Sequence, residues 1–324
     1  MIFEQSKKEA DKFLRSLSLK LDLHAPVKDI VTNYKLIKNF KSISELSLKE
    51  NSFFPIKEHF FAKKETIFNF NKDKLANFLP KNKEKAFFGL RKCDLNAIKK
   101  QDLVFLSNDK DGYYEARRKN TYLIGYQCKK ACNQYCFCGS MNLEDFFDLM
   151  YYDKGGKFLI EVGSKNGLKL IKKYKKHFKK TKEGIKPEDK VIKNANRLER
   201  KDLNRFYEDS RWKNLVDLCL SCAACTNLCP TCYCFEFHDK VKISNLSQGS
   251  RTREWSSCQL KSFSKVAGEF VFRTKREERF KHRIYHQLQY FKEKYGTDLC
   301  VGCGRCILAC PTRIDFVKLI NEMK

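Results

Sequence analysis

The chain has 324 residues, and a hydrophobic fraction of 42% is enough for buried cores in two domains. Its start carries charge within ten residues and has no apolar signal region. No window reaches the roughly 18 uncharged apolar residues of a membrane span, so the expectation is a cytoplasmic chain with no membrane partner. The formal charge of +27 raises nucleic acid as a partner, but Lys and Asn are abundant throughout, and the basic stretch Lys169 to Lys180 reads as a solvated helix face rather than a nucleic-acid site.

Taken in chain order, residues 1–201 read as a mixed α/β domain. Lys7 to Leu19 has helical spacing at Phe13, Leu14 and Leu17, and Lys85 to Leu90, Thr121 to Tyr126 and Lys157 to Val162 are short β-type runs. Two of these strands lead into cysteines: Leu90 precedes Arg91-Lys92-Cys93-Asp94, and Tyr126 precedes Gln127-Cys128. A strand end holds a ligand rigidly. Cys132, Cys136 and Cys138 follow, and the polar segment Lys179 to Lys201, with Gly184 and Pro187, reads as the link between domains.

Residues 202–324 read as the second domain. Asp202 to Leu218 reads as a helix entering a run of Cys219, Cys222, Cys225, Cys229 and Pro230. The same spacing, C-x2-C-x2-C-x3-C-P, returns at Cys300, Cys303, Cys306, Cys310 and Pro311. This is the run of two-cluster bacterial ferredoxins, in which the fourth cysteine ligates the other cluster. It predicts one [4Fe-4S] cluster on Cys219, Cys222, Cys225 and Cys310, and a second on Cys300, Cys303, Cys306 and Cys229. The segment between the runs is far longer than in a compact ferredoxin and contains a helical pattern from about Lys275 to Tyr295, closed by Gly296. The expected fold class is therefore α+β, a mixed α/β domain followed by an α-helical dicluster ferredoxin domain.

Eight of the sixteen cysteines remain. Cys93, Cys128, Cys136 and Cys138 are read as ligands of a third cluster; a tetrahedral zinc site or buried free thiols are the alternatives, and Cys132 is a spare or substitute ligand. Cys232, Cys234 and Cys258 are candidate extra ligands of a further centre, or line a cluster cavity and tune it through weak S–H hydrogen bonds.

These runs, together with Ala25-Pro-Val-Lys, Phe88-Gly-Leu-Arg-Lys-Cys-Asp-Leu-Asn-Ala, Tyr113-Tyr-Glu-Ala-Arg-Arg, Tyr135-Cys-Phe-Cys, Cys229-Pro-Thr-Cys-Tyr-Cys-Phe, Trp255-Ser-Ser-Cys and Val266-Ala-Gly-Glu-Phe-Val-Phe-Arg, span nearly the whole chain. In them the sequence resembles the iron–sulfur β subunits of cytoplasmic sulfhydrogenases, which are nickel–iron hydrogenases, and the iron–sulfur subunits of anaerobic sulfite reductases that share their architecture. Gly139-Ser-Met-Asn-Leu-Glu-Asp and Phe147-Asp-Leu-Met-Tyr-Tyr lean toward the hydrogenase side. Glu269 departs from both families, where a glycine usually stands. The resemblance implies two kinds of partner. One binds FAD and NAD(P)H; the other is catalytic, either the small and large nickel–iron hydrogenase subunits or a sirohaem subunit.

No residue pattern suggests substrate chemistry, since dinucleotide fingerprints, nucleophile elbows and convincing carboxylate pairs are absent from the sequence. Electron transfer is the expected work, in a non-catalytic subunit of an oxidoreductase complex. Gly302 and Gly304 are expected to bring backbone N–H groups to the cluster sulfurs or to serve the tight turn. Asp94 reads as a helix cap, Tyr113, Arg117 and Arg118 as packing and surface residues or contacts to a flavin or phosphate on a partner, and His238, His282 and His286 as surface or packing residues. A zinc-dependent nucleic-acid-binding protein is the competing class, and a stand-alone ferredoxin a second alternative.

Overall fold

The computed structural model describes residues 1–81 and 83–324. Strand β1 (Ile2–Ser6) runs into helix α1 (Lys7–Ser18), where Ser6 accepts the Glu9 amide as N-cap and Ala10, Phe13, Leu14 and Leu17 are buried on one face. Strands β2 (Asp22–Lys28), β3 (Thr32–Leu36), β4 (Lys64–Asn71), β5 (Lys74–Asn77) and β6 (Lys85–Leu90) follow. Helices α2 (Lys92–Phe105) and α3 (Gly112–Arg118) connect β6 to β7 (Thr121–Tyr126). Then come β8 (Leu149–Asp153), β9 (Lys157–Val162), α4 (Lys165–Lys173) and β10 (Lys179–Lys180).

Eight of these strands make one sheet in the order β10-β1-β9-β8-β7-β6-β2-β3. Its centre is parallel, β2 with β6, β6 with β7 and β7 with β8, while the outer pairs are antiparallel. Parallel strands are covered on both faces and so carry continuous apolar runs. Ala86 and Phe88 of β6 join the core that holds α1 and α4, and Phe87 and Leu90 join the core that holds α2. In the ladder Leu90 faces Gly125, and the two strands end just before Cys93 and Cys128. The carboxyl ends of parallel strands are where open sheets place their ligands.

A second sheet, in the order β11-β12-β4-β5, pairs a hairpin from between the cysteine runs, β11 (Phe235–Lys242) and β12 (Asn245–Trp255), with β4 and β5. The fold is α+β, with short helices at both cysteine runs, but the region between them is not helical throughout. Phe235, Phe237 and Val241 stand at every second place but Asp239 interrupts them, so the period-two signal of this hairpin is weak. The predicted helix near Lys275 is a continuous spiral: α-helix Arg276–Tyr285, a π-helical turn His286–Tyr290, and α-helix Phe291–Tyr295, ended by Gly296 at φ +72°.

Two local expectations change. The predicted helix Asp202 to Leu218 is only a 3-10 turn, Leu203–Phe206, and an α-helix, Trp212–Leu218. Asp209 interrupts it by accepting the Arg211 backbone amide at 2.9 Å and its guanidinium at 2.5 Å. The predicted link, Lys179 to Lys201, is packed rather than loose: the Ala131 amide donates to the Lys193 carbonyl at 2.8 Å, the Gly139 amide donates to the Ala195 carbonyl at 2.9 Å, and Ala195 is fully buried.

The hairpin is fastened to the first domain by charge. Arg253, on β12, donates to Glu65 of β4 at 2.6 Å and to Asp111 at the start of α3, with the Arg253 and Glu65 side chains only 3% and 6% exposed. Removing one member of a buried ion pair costs about 3–5 kcal/mol because the other charge is left without compensation. Because Glu65 keeps Arg117 as a partner at 2.7 Å while Asp111 loses Arg253, Arg253→Met is expected to lower the unfolding free energy, measured by anaerobic denaturant titration, by about 3 kcal/mol, the low end of that range.

Candidate metal centre

Both cysteine runs use the same backbone device. Ser221 and Ala223 in the first run, and Gly302 and Gly304 in the second, hold φ of +51°, +64°, +65° and +71°. Left-handed residues inserted between ligands turn successive N–H groups inward, the concavity that binds anions. The Ser221 amide donates to the Cys219 sulfur and the Gly302 amide to the Cys300 sulfur, each at 3.4 Å. Each run then enters a short helix, Ala224–Asn227 or Arg305–Leu308. Glycine has a further use in the second run. A Cβ on Gly302 would stand 2.6 Å from the Cys138 nitrogen, and one on Gly304 2.6 Å from the Tyr135 carbonyl carbon.

The fourth cysteines cross over. Cys219, Cys222 and Cys225 line one cavity together with Cys310 of the other run, and with Gln259, Arg283 and Cys306. Cys229 leaves the first run and lies among the second: its charge bears on Cys300, Cys303 and Cys306. Burial pushes the Cys225 thiol up to about 11 and the Cys300 thiol up to about 12. Such thiols stay protonated at neutral pH unless a metal takes the proton's place. Hydroxyls stand beside the crossing sulfurs, Thr231 at 3.2 Å from Cys229 and Thr312 at 3.4 Å from Cys310.

The dispersed cysteines of the first domain also gather. Cys93 interacts with Cys138 and Cys303, Cys128 with Cys93 and Cys132, and Cys136 and Cys138 with Cys132 and Cys303. Cys128 and Cys132 are 3.6 Å apart between sulfurs, and Cys132 lies on a cavity wall beside Asn51, Asn133 and Arg305. The segment is clamped to the second run: the Phe137 amide donates to the Gly302 carbonyl at 2.7 Å, and the Cys136 thiol to the Cys303 carbonyl at 3.4 Å. Among the described residues, no three His, Cys, Asp or Glu side chains close on the geometry of a single metal ion.

Four buried cations surround these thiols, and the sequence reading singled out none of them. Arg283 borders Cys225, Cys229, Cys232 and Cys306; it donates to the Cys225 carbonyl at 3.2 Å, and its Nε has no partner among the described residues. Lys57 borders Cys229, Cys232 and Cys234, Arg91 borders Cys128 and Cys132, and Arg305 borders Cys93 and Cys303. Arg305 has a carboxylate, Asp94, at 2.9 Å. Among the described residues Lys57 and Arg283 have none, and Arg91 has Asp94 nearby without a side-chain ion pair. A buried charge needs a counter-charge. Thiolate-bound iron–sulfur groups are anionic, so the donor set and its surroundings fit them. Arg305 sits inside the second run and Arg91 beside Cys93, where spacing pointed; nothing in the sequence marks Lys57 or Arg283.

The remaining polar residues are engaged within the fold. Asp94 accepts its own helix's Arg91 amide at 3.4 Å, as expected of a cap, and pairs with Arg305 besides. Arg117 pairs with Glu65 at 2.7 Å, Arg118 with Asp102 at 3.1 Å, and the Tyr113 hydroxyl donates to the Ile67 carbonyl. His286 contacts the Tyr233 hydroxyl at 3.2 Å and stacks on His282. Glu269 takes a φ of +66°, the left-handed region a glycine occupies without strain, and is exposed beside Lys265.

Residues 218–314 match the 4Fe-4S dicluster domain family. The chain is 33% identical over 297 residues to the sulfhydrogenase 2 subunit beta of Pyrococcus furiosus, covering 87% of each protein. It is 23% identical over 176 residues to the F420-dependent formate dehydrogenase subunit beta of Methanocaldococcus jannaschii, covering 52% of this chain and 36% of that protein. Among the described residues, no helix is long and apolar enough to cross a membrane.

The tight seat of Gly302 gives a direct check. A side chain there meets both backbone strain of about 1–3 kcal/mol and the Phe137–Cys138 backbone. Gly302→Ala is expected to lower unfolding stability by at least about 2 kcal/mol, measured by anaerobic thermal unfolding.

Proposed function

The chain belongs to the sulfhydrogenase β-subunit family, an iron–sulfur electron-transfer component of an oxidoreductase complex, and from that premise we propose that it relays single electrons between a partner binding flavin and NAD(P)H and a nickel–iron hydrogenase catalytic pair. Cys219, Cys222, Cys225 and Cys310 hold one [4Fe-4S] cluster, and Cys300, Cys303, Cys306 and Cys229 a second. Cys93, Cys128, Cys136 and Cys138 hold a third. When bound, such clusters take up and release one electron at a time, which divides a flavin's two-electron exchange into single steps.

The chain's own residues set the order and the resting energies. The contacts of Gly302 with Phe137 and of Cys303 with Cys136 support a third set adjoining the second, and Arg283, which bears on Cys225, Cys229 and Cys306, supports a second adjoining the first. The first set reaches the surface at exposed Cys222, flanked by Leu218 and Leu220 at 49% and 63% exposure. The amides of Ser221 and Gly302, together with Thr231 and Thr312, stabilise negative charge on the sulfurs. Arg283 does the same from between two sets. A fixed cation favours the reduced, more negative form and raises the potential.

The observation that carries this reading is the exchange of Cys229 and Cys310 between the two runs. It is tested by electron paramagnetic resonance on the anaerobic holoprotein. Cys229→Ser is expected to alter the same signal as Cys300→Ser, and Cys310→Ser the same signal as Cys222→Ser, while the flavin partner still oxidises NAD(P)H with a dye; the reverse pairing contradicts the assignment. Arg283→Gln is expected to lower the potentials of both clusters, by on the order of 100–200 mV for a charge roughly 4–8 Å away at an effective dielectric near 20.

A further inference from the structure

Three cysteines stand outside the sets above. Cys232 and Cys234 lie in the turn that leaves the first run, and Cys258 in the turn that leaves β12. The hairpin ladder brings Cys234 and Cys258 together: Phe235 pairs with Trp255, and the Ser256 amide donates to the Cys234 carbonyl at 3.0 Å. The Cys234 and Cys258 thiols are in contact, and Cys232 touches Cys229. Cys232 and Cys258 are 6% and 3% exposed, and Cys234 is half-buried.

The surroundings are those of an anion. Lys57, 4% exposed, comes from the first domain; it donates to the Cys232 carbonyl at 2.9 Å and the Thr226 carbonyl at 3.3 Å and packs 4.1 Å over the Trp255 ring. The groups that bear on it are Cys232, Cys229, Cys234 and a second cation, Arg283, with no carboxylate in ion-pair contact among the described residues. Arg283 also bears on Cys232, and the Gln287 amide donates to the Cys232 sulfur at 3.6 Å. The cluster on Cys229 gives Lys57 part of its counter-charge, while Cys232 and Cys234, the other two sulfurs that bear on it, belong to no set so far. Three thiolates on a metal centre give Lys57 the counter-charge that burial demands.

We propose that Cys232, Cys234 and Cys258 hold a further iron–sulfur centre, with Lys57 as its buried counter-cation and the fourth corner left to a non-cysteine ligand. It rests on the cluster reading of the two runs and lies beside Cys229, so it adjoins the second set. Its place at the base of the hairpin, where Lys57, Phe61 and Phe105 of the first domain meet Tyr233, Phe235 and Trp255, makes it a centre built by both halves of the chain.

The test compares the anaerobically purified full chain with Cys234→Ser and with the triple variant Cys232→Ser/Cys234→Ser/Cys258→Ser, measuring iron, acid-labile sulfide and zinc per chain. The proposal expects the triple variant to lose about four irons and as many sulfides, the content of one cubane, while the resonance signals assigned through Cys222 and Cys300 persist. Cys234→Ser, the mildest change because the thiol is half-buried, is expected to lose the same increment or to alter one signal unaffected by those two variants. Iron unchanged in both variants, zinc in place of iron at this site, or a Cys234–Cys258 disulfide in the anaerobic chain overturns it. Loss of all iron from the unsubstituted chain would instead sink the underlying cluster reading. Should the triple variant not fold, Lys57→Met provides the second measurement. It keeps every cysteine and is expected to lower the potential of the additional signal; an unmoved set of potentials overturns the proposal.

Discussion

Positive charge buried without carboxylates is the constraint on which the interior depends. Lys57, Arg91 and Arg283 are nearly inaccessible to water; Lys57 and Arg283 are surrounded by cysteine sulfur rather than by Asp or Glu, and Arg91 has Cys128 and Cys132 with Asp94. An isolated buried charge is costly enough that such an arrangement persists only if something anionic completes it. Cysteine provides that anion when a metal displaces its proton. The cations and the cysteines are therefore one electrostatic unit, and the net charge of +27 is a separate matter of solvated lysines.

The same unit explains how two halves of different architecture are joined. The parallel sheet delivers Cys93 and Cys128 from the ends of adjacent strands, and the loop that follows is pressed against the second run so closely that only glycine fits at two positions. Lys57 crosses in the same direction, and Arg253 locks the hairpin back onto β4 and α3. The boundary expected near residue 201 divides the sequence but not the packing, because β11 and β12 complete a sheet begun by β4 and β5.

Much of this was legible in the residues. The repeated cysteine spacing, the positive-φ glycines at 302 and 304, the strand ends leading to Cys93 and Cys128, and the helix closed by Gly296 all rest on local geometry, and the structure has each of them. The hairpin went unread because Phe235 to Val241 alternates only briefly and its partner strand is polar and Gly-containing. The helix from Asp202 was broken by a side chain bonding its own backbone two residues on. Lys57 and Arg283 were out of reach for another reason. A lysine in a short 3-10 turn and an arginine on a charged helix look like surface residues until tertiary packing brings sulfur around them.

The central claim is that the gathered cysteines cage inorganic iron–sulfur groups which the buried cations balance. Native mass spectrometry of the anaerobically prepared chain tests it most directly. The expected mass exceeds the bare polypeptide by at least three Fe4S4 increments; the bare mass, or increments of zinc alone, would contradict caged iron–sulfur groups.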